Sequence, residues 1–232
     1  MIEEPATLTI KKSLRRPSDA QIAAFQNVPT GFVVDAMFGK GAMSADICPI
    51  GDGRDLKCIA AGPALTVDNT PGDILALLAS LNSISQGDMV VSAFAGYQGC
   101  AAAGDRVTGM MKNNGAAGFI TDGPMRDYAG VVAVGLPTWC TGLTPASPFA
   151  KGPGSIGYPI QISGQQVETG DMIIADRDGV VVVPYPQIDR VIEALTHVTT
   201  LETELDAQVA DGLKIPENIL EMLAGDGVKY EE

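Results

Sequence analysis

The segment Thr121–Asp127, which reads TDGPMRD, carries side chains suited to chemistry. It overlaps the apolar run Ala116–Asp122, which predicts a buried strand. Polar groups beyond the carboxyl end of an α/β strand commonly form a ligand site. Arg126 offers a forked donor for a carboxylate, and the neighbouring Asp127 offers oxygen ligands for a metal ion. Taken alone, the short segment is more typical of a helix-capping Asp beside a surface Arg.

A glycine-rich loop, Gly96–Gly104, precedes a predicted helix at about Asp105–Asn113. The free N–H groups and the dipole of a helix start attract anions, and glycines let the backbone approach a ligand closely. A tight turn in a closely packed region explains the loop equally well. Because Lys112 lies near the far end of the helix, a carboxylate is a better-suited anion than a nucleotide phosphate. Residues Gly152–Gly157 fit GxGxxG, but no helix pattern follows, so a dinucleotide site is not predicted.

Two carboxylates lie in apolar surroundings. One face of the predicted C-terminal helix carries Val191, Leu195, Val198, Glu202, Leu205 and Val209. Glu202 therefore interrupts an apolar stripe, where an unpaired ionised carboxylate is costly. Asp35 lies between Val34 and Ala36 in an equally apolar helix. Each of the two acids marks either a subunit contact or a functional site, whereas His197 lies off the stripe and is expected to be exposed.

The composition limits the possible function classes. The chain has 232 residues, a formal net charge of −13 and one histidine. An acidic chain lacks the positive surface that nucleic acids require, so no nucleic-acid partner is expected. One histidine excludes a multi-histidine zinc site and leaves few options for a serine or cysteine triad. The four cysteines form no CxxC pair, and neither a signal peptide nor a membrane-spanning segment is recognisable, so we expect a cytoplasmic protein with reduced thiols and no membrane partner.

The elements that position these residues alternate between helices and strands, which predicts one α/β domain over residues 1–232. Further helices are predicted from Ser18 or Asp19 to Phe25, from the capping residue Thr30 to Phe38, and over Asp73–Ser83, Gln187–Ala210 and Pro216–Ala224. Further strands are predicted over Cys58–Val67, Leu136–Thr141 and the hairpin Met172–Ala175 with Val180–Val183. The turns Gly87-Asp88 and Gly170-Asp171 each precede an apolar strand, and this favours matching positions in the sheet.

Several motifs together resemble one protein family. Asp105 is followed after twenty residues by Arg126-Asp127, and GAAGFITDGPMRD resembles the family pattern GxAGxVxDGxxRD. GDMIIADRDGVVVVP resembles the family's C-terminal hairpin, and Thr30–Ala36 resembles its early S/T-x-x-x-[DE]-A helix. The chain is thus similar to the RraA-like proteins, related to the regulator of ribonuclease activity A. Within them it resembles the metal-dependent 4-hydroxy-4-methyl-2-oxoglutarate/4-carboxy-4-hydroxy-2-oxoadipate aldolases, in which the first acid separates aldolases from regulators.

This resemblance implies a ββα-type swivelling α/β domain, with a core at about residues 28–212 and a helical extension at 213–232. It implies a homotrimer or hexamer with active sites between subunits, to which Glu202 and Asp35 of the adjacent subunit would contribute. Asp127 would be the direct ligand of Mg²⁺ or Mn²⁺, and Arg126 would bind the carboxylate of a small anionic oxo-acid substrate.

The resemblance also assigns roles to the start of the helix at Asp105. The backbone amides of Asp105, Arg106 and Val107 would assist in binding the substrate carboxylate, and Asp105 would hold a catalytic water. The implied reaction is metal-dependent aldol cleavage that releases pyruvate from a 4-hydroxy-2-oxo acid. Decarboxylation of oxaloacetate would follow at the same site because it passes through the same enolate.

Two departures from the family pattern leave alternatives open. Arg106 replaces a usually apolar residue, so the anion pocket can suit a more acidic or differently shaped substrate. The segment after Asp211 diverges, which leaves open whether Glu202 or Glu204 reaches the neighbouring site. The alternative functions are another metal-dependent lyase or hydratase acting on an oxo acid or sugar acid, and a non-catalytic regulator that binds a ribonuclease.

Overall fold

Helices and strands alternate along the chain in the computed structural model, which describes residues 6–231. The strands in this range are β1 (Leu8–Ile10), β2 (Cys48–Pro49), β3 (Ala60–Asn69), β4 (Met89–Ala93), β5 (Gly118–Thr121), β6 (Thr138–Cys140), β7 (Gly154–Ile156), β8 (Ile160–Ile162), β9 (Gln165–Val167), β10 (Met172–Ala175) and β11 (Val180–Val183). The α-helices are α1 (Asp19–Ala24), α2 (Thr30–Ala36), α3 (Leu75–Ser80), α4 (Asp105–Asn113), α5 (Tyr128–Val134), α6 (Ile188–Ala210) and α7 (Glu217–Ala224).

A mixed sheet forms the centre of the molecule, in the order β1-β7-β3-β4-β5-β6-β2. Strands β3, β4, β5 and β6 run parallel to one another. The long strand β3 also pairs antiparallel with β10, which in turn pairs with β11. Because β4 and β5 are parallel neighbours, the loop after β4 and the segment after β5 leave the sheet at the same edge. This arrangement brings the two candidate segments of the sequence together.

Two apolar clusters hold the sheet and its helices in place. The larger cluster surrounds the parallel strands and includes the fully buried Phe119 and Trp139. The smaller one packs α1, α2 and the first half of α6 against β10 and β11 through residues such as Phe25, Val33 and Leu195. Burial of each large side chain contributes roughly 1.5–3 kcal/mol. The strands that lead to the candidate site are therefore firmly anchored.

Most of the expected elements are confirmed. The helix Asp105–Asn113 and the hairpin of Met172–Ala175 with Val180–Val183 have the predicted bounds. Both strands that follow a Gly-Asp turn pair with β3, but β4 runs parallel to it and β10 antiparallel, so the two strands share a neighbour without holding equivalent positions. His197 is exposed, as expected.

One expectation about the helices is wrong, and one helix was not predicted. Thr30 does not cap α2 but begins it; its amide and its hydroxyl each donate a 2.8 Å hydrogen bond to the Asp176 carboxylate. The apolar stripe of α6, for which no burial was predicted, is buried at Val191 and Leu195 and exposed at Leu205 and Val209. Helix α5 was not predicted, since its sequence YAGVVAV has the β-branched character of a strand.

The N-terminal segment contacts both Gly-Asp turns through two consecutive arginines. Arg16 Nη1 donates to Asp88 Oδ1, and Arg15 Nη2 lies 3.8 Å from Asp171 Oδ1. Burial raises the pKa of both carboxyl groups, and this effect is opposed by backbone hydrogen bonds and by the arginines. Arg15 and Arg16 therefore connect the N-terminal segment to the turns that precede β10 and β4. Among the described residues, no helix is both long enough and apolar enough to cross a membrane.

Candidate functional site

The glycine-rich loop after β4 and the segment after β5 are joined by backbone hydrogen bonds. Ala102 N donates to Pro124 O over 2.7 Å, and Arg126 N donates to Ala103 O over 3.1 Å. These bonds hold the loop beside Arg126. The loop ends at Gly104, directly before the first residue of α4. These contacts agree with the tight-turn interpretation of the loop, whereas its interpretation as a ligand site stays a prediction.

Gly104 brings the start of α4 into direct contact with the Arg-Asp pair. A Cβ atom at Gly104 would lie 2.7 Å from Asp127 Oδ2 and 3.0 Å from Arg126 Cγ, closer than side chains pack. The backbone at Gly104 is extended, with φ −149°, so its small size rather than its conformational freedom is what the position needs. Any larger residue would push Arg126 or Asp127 out of place.

Asp127 has the backbone of a left-handed residue, with φ 57° and ψ 44°. Such a conformation costs a non-glycine residue on the order of 1–3 kcal/mol and is concentrated at functional sites. Asp127 stands at the N-terminal end of α5, yet its side chain makes no capping hydrogen bond there. The capping interpretation of Asp127 is therefore wrong. Its carboxylate is half-exposed and lies 3.2 Å from Arg126 Nε.

Arg126 is held from two sides. Besides the contact with Asp127, its Nη1 donates a 2.9 Å hydrogen bond to the Ser147 hydroxyl, which belongs to the loop after β6. The guanidinium is thereby fixed at the rim of a cavity of about 270 Å³. The residues that line this cavity are Arg126, Asp127, Tyr128, Leu143, Thr144 and Pro145. A positively charged fork beside an open carboxylate can hold an anionic ligand together with a cation.

Asp105 and its neighbours occupy the first turn of α4. Asp105 Oδ1 accepts a 2.7 Å hydrogen bond from the amide of Arg106, so that amide is already engaged. Asp105 also packs against α5, because a Cβ atom at Gly130 would lie 2.4 Å from Asp105 Oδ2. The Arg106 side chain is exposed, whereas Val107 is buried. Arg126 and Asp127 lie against Gly104, which directly precedes Asp105, whereas the Asp105 carboxylate packs on Gly130 of α5. The role of Asp105 stays a prediction.

Asp122 is a buried acid that binds the loop after β4 and does not line the Arg126–Asp127 cavity. Its carboxylate accepts hydrogen bonds from the amides of Phe94 and Gly96, while Gln98 Nε2 donates to its backbone carbonyl over 3.0 Å. Burial raises the pKa of Asp122, and these amide hydrogen bonds only partly oppose the rise. Sequence reasoning assigned no role to Asp122, although an acid at the end of a buried strand was the available signal.

Asp35 and Glu202 do not line the Arg126–Asp127 cavity of their own chain. Asp35 is exposed and lines another cavity, of about 290 Å³, together with Ser44 and Asp178. Glu202 is half-buried on the outer half of α6. Participation of Asp35 and Glu202 or Glu204 in the Arg126–Asp127 site would therefore require a second copy of the chain. The oligomeric state stays a prediction.

The fit of a metal ion depends on Asp127. Among residues 6–231, no group of three or more His, Cys, Asp or Glu side chains is arranged to hold a metal. Mg²⁺ and Mn²⁺ need fewer, since they are often bound by one or two carboxylates with water and substrate oxygens completing the coordination. The half-exposed carboxylate of Asp127 suits such a site, whereas the residues present do not suit a zinc centre.

Two residues next to the Arg-Asp pair were missed by sequence reasoning. Ser147 contacts Arg126 from a loop without periodic pattern, and no sequence signal marked it. Tyr128 directly follows the Arg-Asp pair, and its hydroxyl donates a 2.7 Å hydrogen bond to Asp55 Oδ2. That hydrogen bond raises the pKa of Tyr128. Its position beside the motif was the available signal.

The sequence is similar to one protein-family model and to several named proteins. A family model of the RraA-like proteins, described as Aldolase/RraA, matches residues 30–182. A protein of Halalkalibacterium halodurans named "Putative 4-hydroxy-4-methyl-2-oxoglutarate aldolase" is 37% identical over 172 residues, which cover 74% of this chain and 80% of that protein. A protein of the same name from Alkalilimnicola ehrlichii is 30% identical over 125 residues, covering 52% of this chain and 74% of that protein.

Solved structures show the same fold. Streptomyces coelicolor RraAS2, described as an unusual member of the RNase ES inhibitor RraA protein family, superposes with a TM-score of 0.73 at 25% identity; the match covers 83% of this chain and 100% of RraAS2. An uncharacterised protein from Pseudomonas syringae superposes with a TM-score of 0.75 at 22% identity, covering 86% and 96% of the two chains. These likenesses confirm the expected α/β fold class.

Proposed function

The chain belongs to the RraA-like family, and we propose that it is a divalent-metal-dependent aldolase that releases pyruvate from a 4-hydroxy-2-oxo acid such as 4-hydroxy-4-methyl-2-oxoglutarate. The observation that carries the proposal is the contact of Arg126 and Asp127 with each other and with Gly104, which directly precedes Asp105 at the start of α4. Decarboxylation of oxaloacetate is proposed as a side activity.

Arg126 binds the carboxylate of the oxo acid in this proposal. The molecule carries a net charge of −13, so an anionic substrate needs a local positive group. Arg126 is such a group at the cavity, and its contacts with Ser147 and Asp127 orient the guanidinium before substrate binds. Orientation in advance reduces the entropy that binding would otherwise cost.

Asp127 holds the divalent ion, and Asp105 holds the water that protonates the pyruvate enolate. When bound, the ion supplies a Lewis acid for the oxo group. When the bond between C3 and C4 breaks, its electrons pass to the pyruvyl fragment, and the C4 hydroxyl becomes a carbonyl and loses its proton to water. A proton from the water held by Asp105 would then convert the enolate to pyruvate. A Schiff-base aldolase would instead need a lysine in the site. Lys112 does not serve, because its ammonium group donates to the carbonyl of Val134 near the far end of α4.

The proposal is tested by coupling pyruvate release to lactate dehydrogenase. Oxaloacetate and a panel of 4-hydroxy-2-oxo acids are supplied with Mg²⁺ or Mn²⁺, and then with EDTA. We expect metal-dependent pyruvate release that EDTA abolishes. Metal-independent turnover, or no pyruvate from any of these substrates, would contradict the proposal.

Asp127→Ala tests the metal ligand, with Asp226→Ala, which removes an exposed carboxylate from the C-terminal segment, as the matched control. Loss of the ion removes several kcal/mol of charge stabilisation, so activity should fall on the order of 100-fold or more in Asp127→Ala and stay unchanged in Asp226→Ala. Calorimetric titration with Mn²⁺ should show weakened binding only in Asp127→Ala. Full activity in Asp127→Ala would disprove the ligand assignment.

The likeness to RraAS2 favours one second candidate, a regulator that binds a ribonuclease without catalysis. Such a protein would bind its partner equally well after Asp105→Asn and would release no pyruvate. An aldolase should instead lose about 10²–10⁴-fold in rate when its proton-transfer group is removed. Metal-dependent turnover of an oxo acid or sugar acid without pyruvate formation would indicate the related lyase or hydratase.

A further inference from the structure

Tyr128 lines the cavity beside Arg126 and Asp127, but the proposed function leaves it without a role. It is the first residue of α5 and is half-buried. Arg126 and Asp127 account for the carboxylate and the oxo group at one end of a 4-hydroxy-2-oxo acid. The C4 hydroxyl and the groups beyond it still require a partner in the cavity.

The phenol of Tyr128 is fixed by two contacts with the segment after β2. Its hydroxyl donates a 2.7 Å hydrogen bond to Asp55 Oδ2. It also packs directly on Gly51, where a Cβ atom would lie 2.2 Å from the phenol oxygen. Gly51 has φ 61°, in the left-handed region, so glycine suits both the backbone and the contact at this position. The position of the phenol is therefore determined by its hydrogen bond to Asp55 and its packing on Gly51.

The contact with Asp55 determines what the phenol oxygen can do next. A phenol has one proton to donate, and this proton is directed to a carboxylate, which accepts hydrogen bonds only. The oxygen keeps its acceptor capacity, and within residues 6–231 no other group donates to it. The Tyr128 oxygen can thus accept a hydrogen bond from a ligand, and a hydroxyl group is the donor that a 4-hydroxy-2-oxo acid offers.

We propose that Tyr128 is a specificity-determining residue whose phenol oxygen accepts a hydrogen bond from the C4 hydroxyl of the substrate, with Asp55 as its positioning residue. The inference rests on the proposed function and names the substrate feature that the cavity selects. A matched hydrogen bond contributes about 0.5–1.5 kcal/mol, which corresponds to roughly 3- to 10-fold in affinity. Tyr128 therefore favours hydroxylated oxo acids over analogues that lack the hydroxyl.

Tyr128→Phe removes the acceptor while keeping the ring, and two substrates separate its effects. kcat/KM for 4-hydroxy-4-methyl-2-oxoglutarate should fall about 3- to 10-fold. kcat/KM for oxaloacetate, which has no C4 hydroxyl, should stay unchanged. Tyr230→Phe is the matched control, since that hydroxyl donates to the carbonyl of Leu223 in the C-terminal segment. An equal fall for both substrates, or no fall for either, would overturn the proposal.

A binding measurement tests the same contact without turnover. 2,4-Dihydroxyglutarate carries the C4 hydroxyl and 2-hydroxyglutarate lacks it, and neither has the 2-oxo group that cleavage needs. By calorimetry in the presence of Mg²⁺, the wild-type protein should bind the dihydroxy acid about 3- to 10-fold more tightly, and Tyr128→Phe should bind both acids equally. Equal binding of the two acids by the wild-type protein, or binding of neither, would overturn the assignment.

Asp55 variants test the positioning role. Asp55→Asn keeps an acceptor oxygen for the phenol and should retain the preference for the dihydroxy acid, whereas Asp55→Ala should lose it with little change in the affinity for 2-hydroxyglutarate. Loss of both affinities in Asp55→Ala would indicate a merely structural role. If the wild-type protein prefers the dihydroxy acid but releases no pyruvate, the proposed function fails while this inference stands.

Discussion

The hydroxyl of Ser147 accepts a 2.9 Å hydrogen bond from Nη1 of Arg126, so a loop after β6 orients the cationic group at the cavity. Ser147→Ala should free the guanidinium and raise KM for the oxo acid about 3- to 10-fold with a smaller effect on kcat, because one hydrogen bond contributes about 0.5–1.5 kcal/mol. Steady-state kinetics measures this change. Ser147→Thr keeps the hydroxyl and serves as the control; an unchanged KM in Ser147→Ala would show that Asp127 alone orients Arg126.

Gly104→Ala should damage the site more than any single lost hydrogen bond. The added methyl group would lie 2.7 Å from Asp127 Oδ2 and must displace Asp127, Arg126 or α4. We expect a loss of roughly 100-fold in kcat/KM, which small misplacements of catalytic groups can cause. The comparison is made by steady-state kinetics and by Mn²⁺ titration.

Gly109→Ala is the matched control for this substitution. Gly109 lies within α4, where a Cβ atom would meet Val134 Cγ2 at 3.6 Å, an ordinary contact. Alanine there should stabilise the helix by about 0.5–1 kcal/mol and leave activity intact. Equal activity of the two alanine variants would show that the contact at Gly104 has no part in the site.

Asp122 should make stability depend on pH with a defined sign. Burial raises the pKa of Asp122 above its ordinary value of 3.8, so the native state favours the protonated form. Its contribution to stability is therefore complete below that value and is lost as the pH rises through the native pKa. Asp122→Asn should consequently cost more stability relative to wild type at about pH 4 than at about pH 7.

Urea unfolding at both pH values measures this difference in the free energy of unfolding. Asp226→Asn removes one negative charge from an exposed position and controls for the change in net charge. A larger destabilisation of Asp122→Asn at neutral pH than at acid pH would reverse the sign and contradict the argument.

Mixing two inactive variants should test whether sites are shared between subunits. If Glu202 completes a site that contains Asp127 of another copy, Asp127→Ala and Glu202→Gln chains refolded together will form some sites in which both residues are intact. Pyruvate release should then reappear in the mixture, with the oligomer size followed by light scattering. Absence of recovery after verified subunit mixing would restrict each site to one chain, and Glu204→Gln is the parallel variant.

The family motif in the sequence indicated that the segment with Arg126 and Asp127 belongs beside the start of α4. The structure explains this proximity, because the two segments follow the neighbouring parallel strands β4 and β5. The bounds of α4 were also predictable, because the glycines before Asp105 and Asn114-Gly115 after the helix mark both ends.

Contacts between distant loops could not be predicted. Ser147 contacts Arg126, and Asp55 contacts Tyr128. Both residues lie in segments without a hydrophobic period, and the path of such segments depends on turns such as the left-handed residues 51–53. The engagement of the Arg106 amide by Asp105 is a local detail that no pattern records. Glu202 lies half-buried on the outer half of α6, so its place in a site was predicted from the family resemblance alone.

The contacts of Arg15 and Arg16 affect which fragments of the protein would fold. A fragment limited to residues 30–182, the span of the family match, would keep the buried Asp88 and Asp171 but lose the guanidinium groups that accompany them. It would also lose α6, which covers β10 and β11 through the smaller apolar cluster. We therefore expect the smallest self-sufficient folding unit to extend beyond the family match at both ends, and a fragment cut at residues 30 and 182 to be less stable than the whole chain.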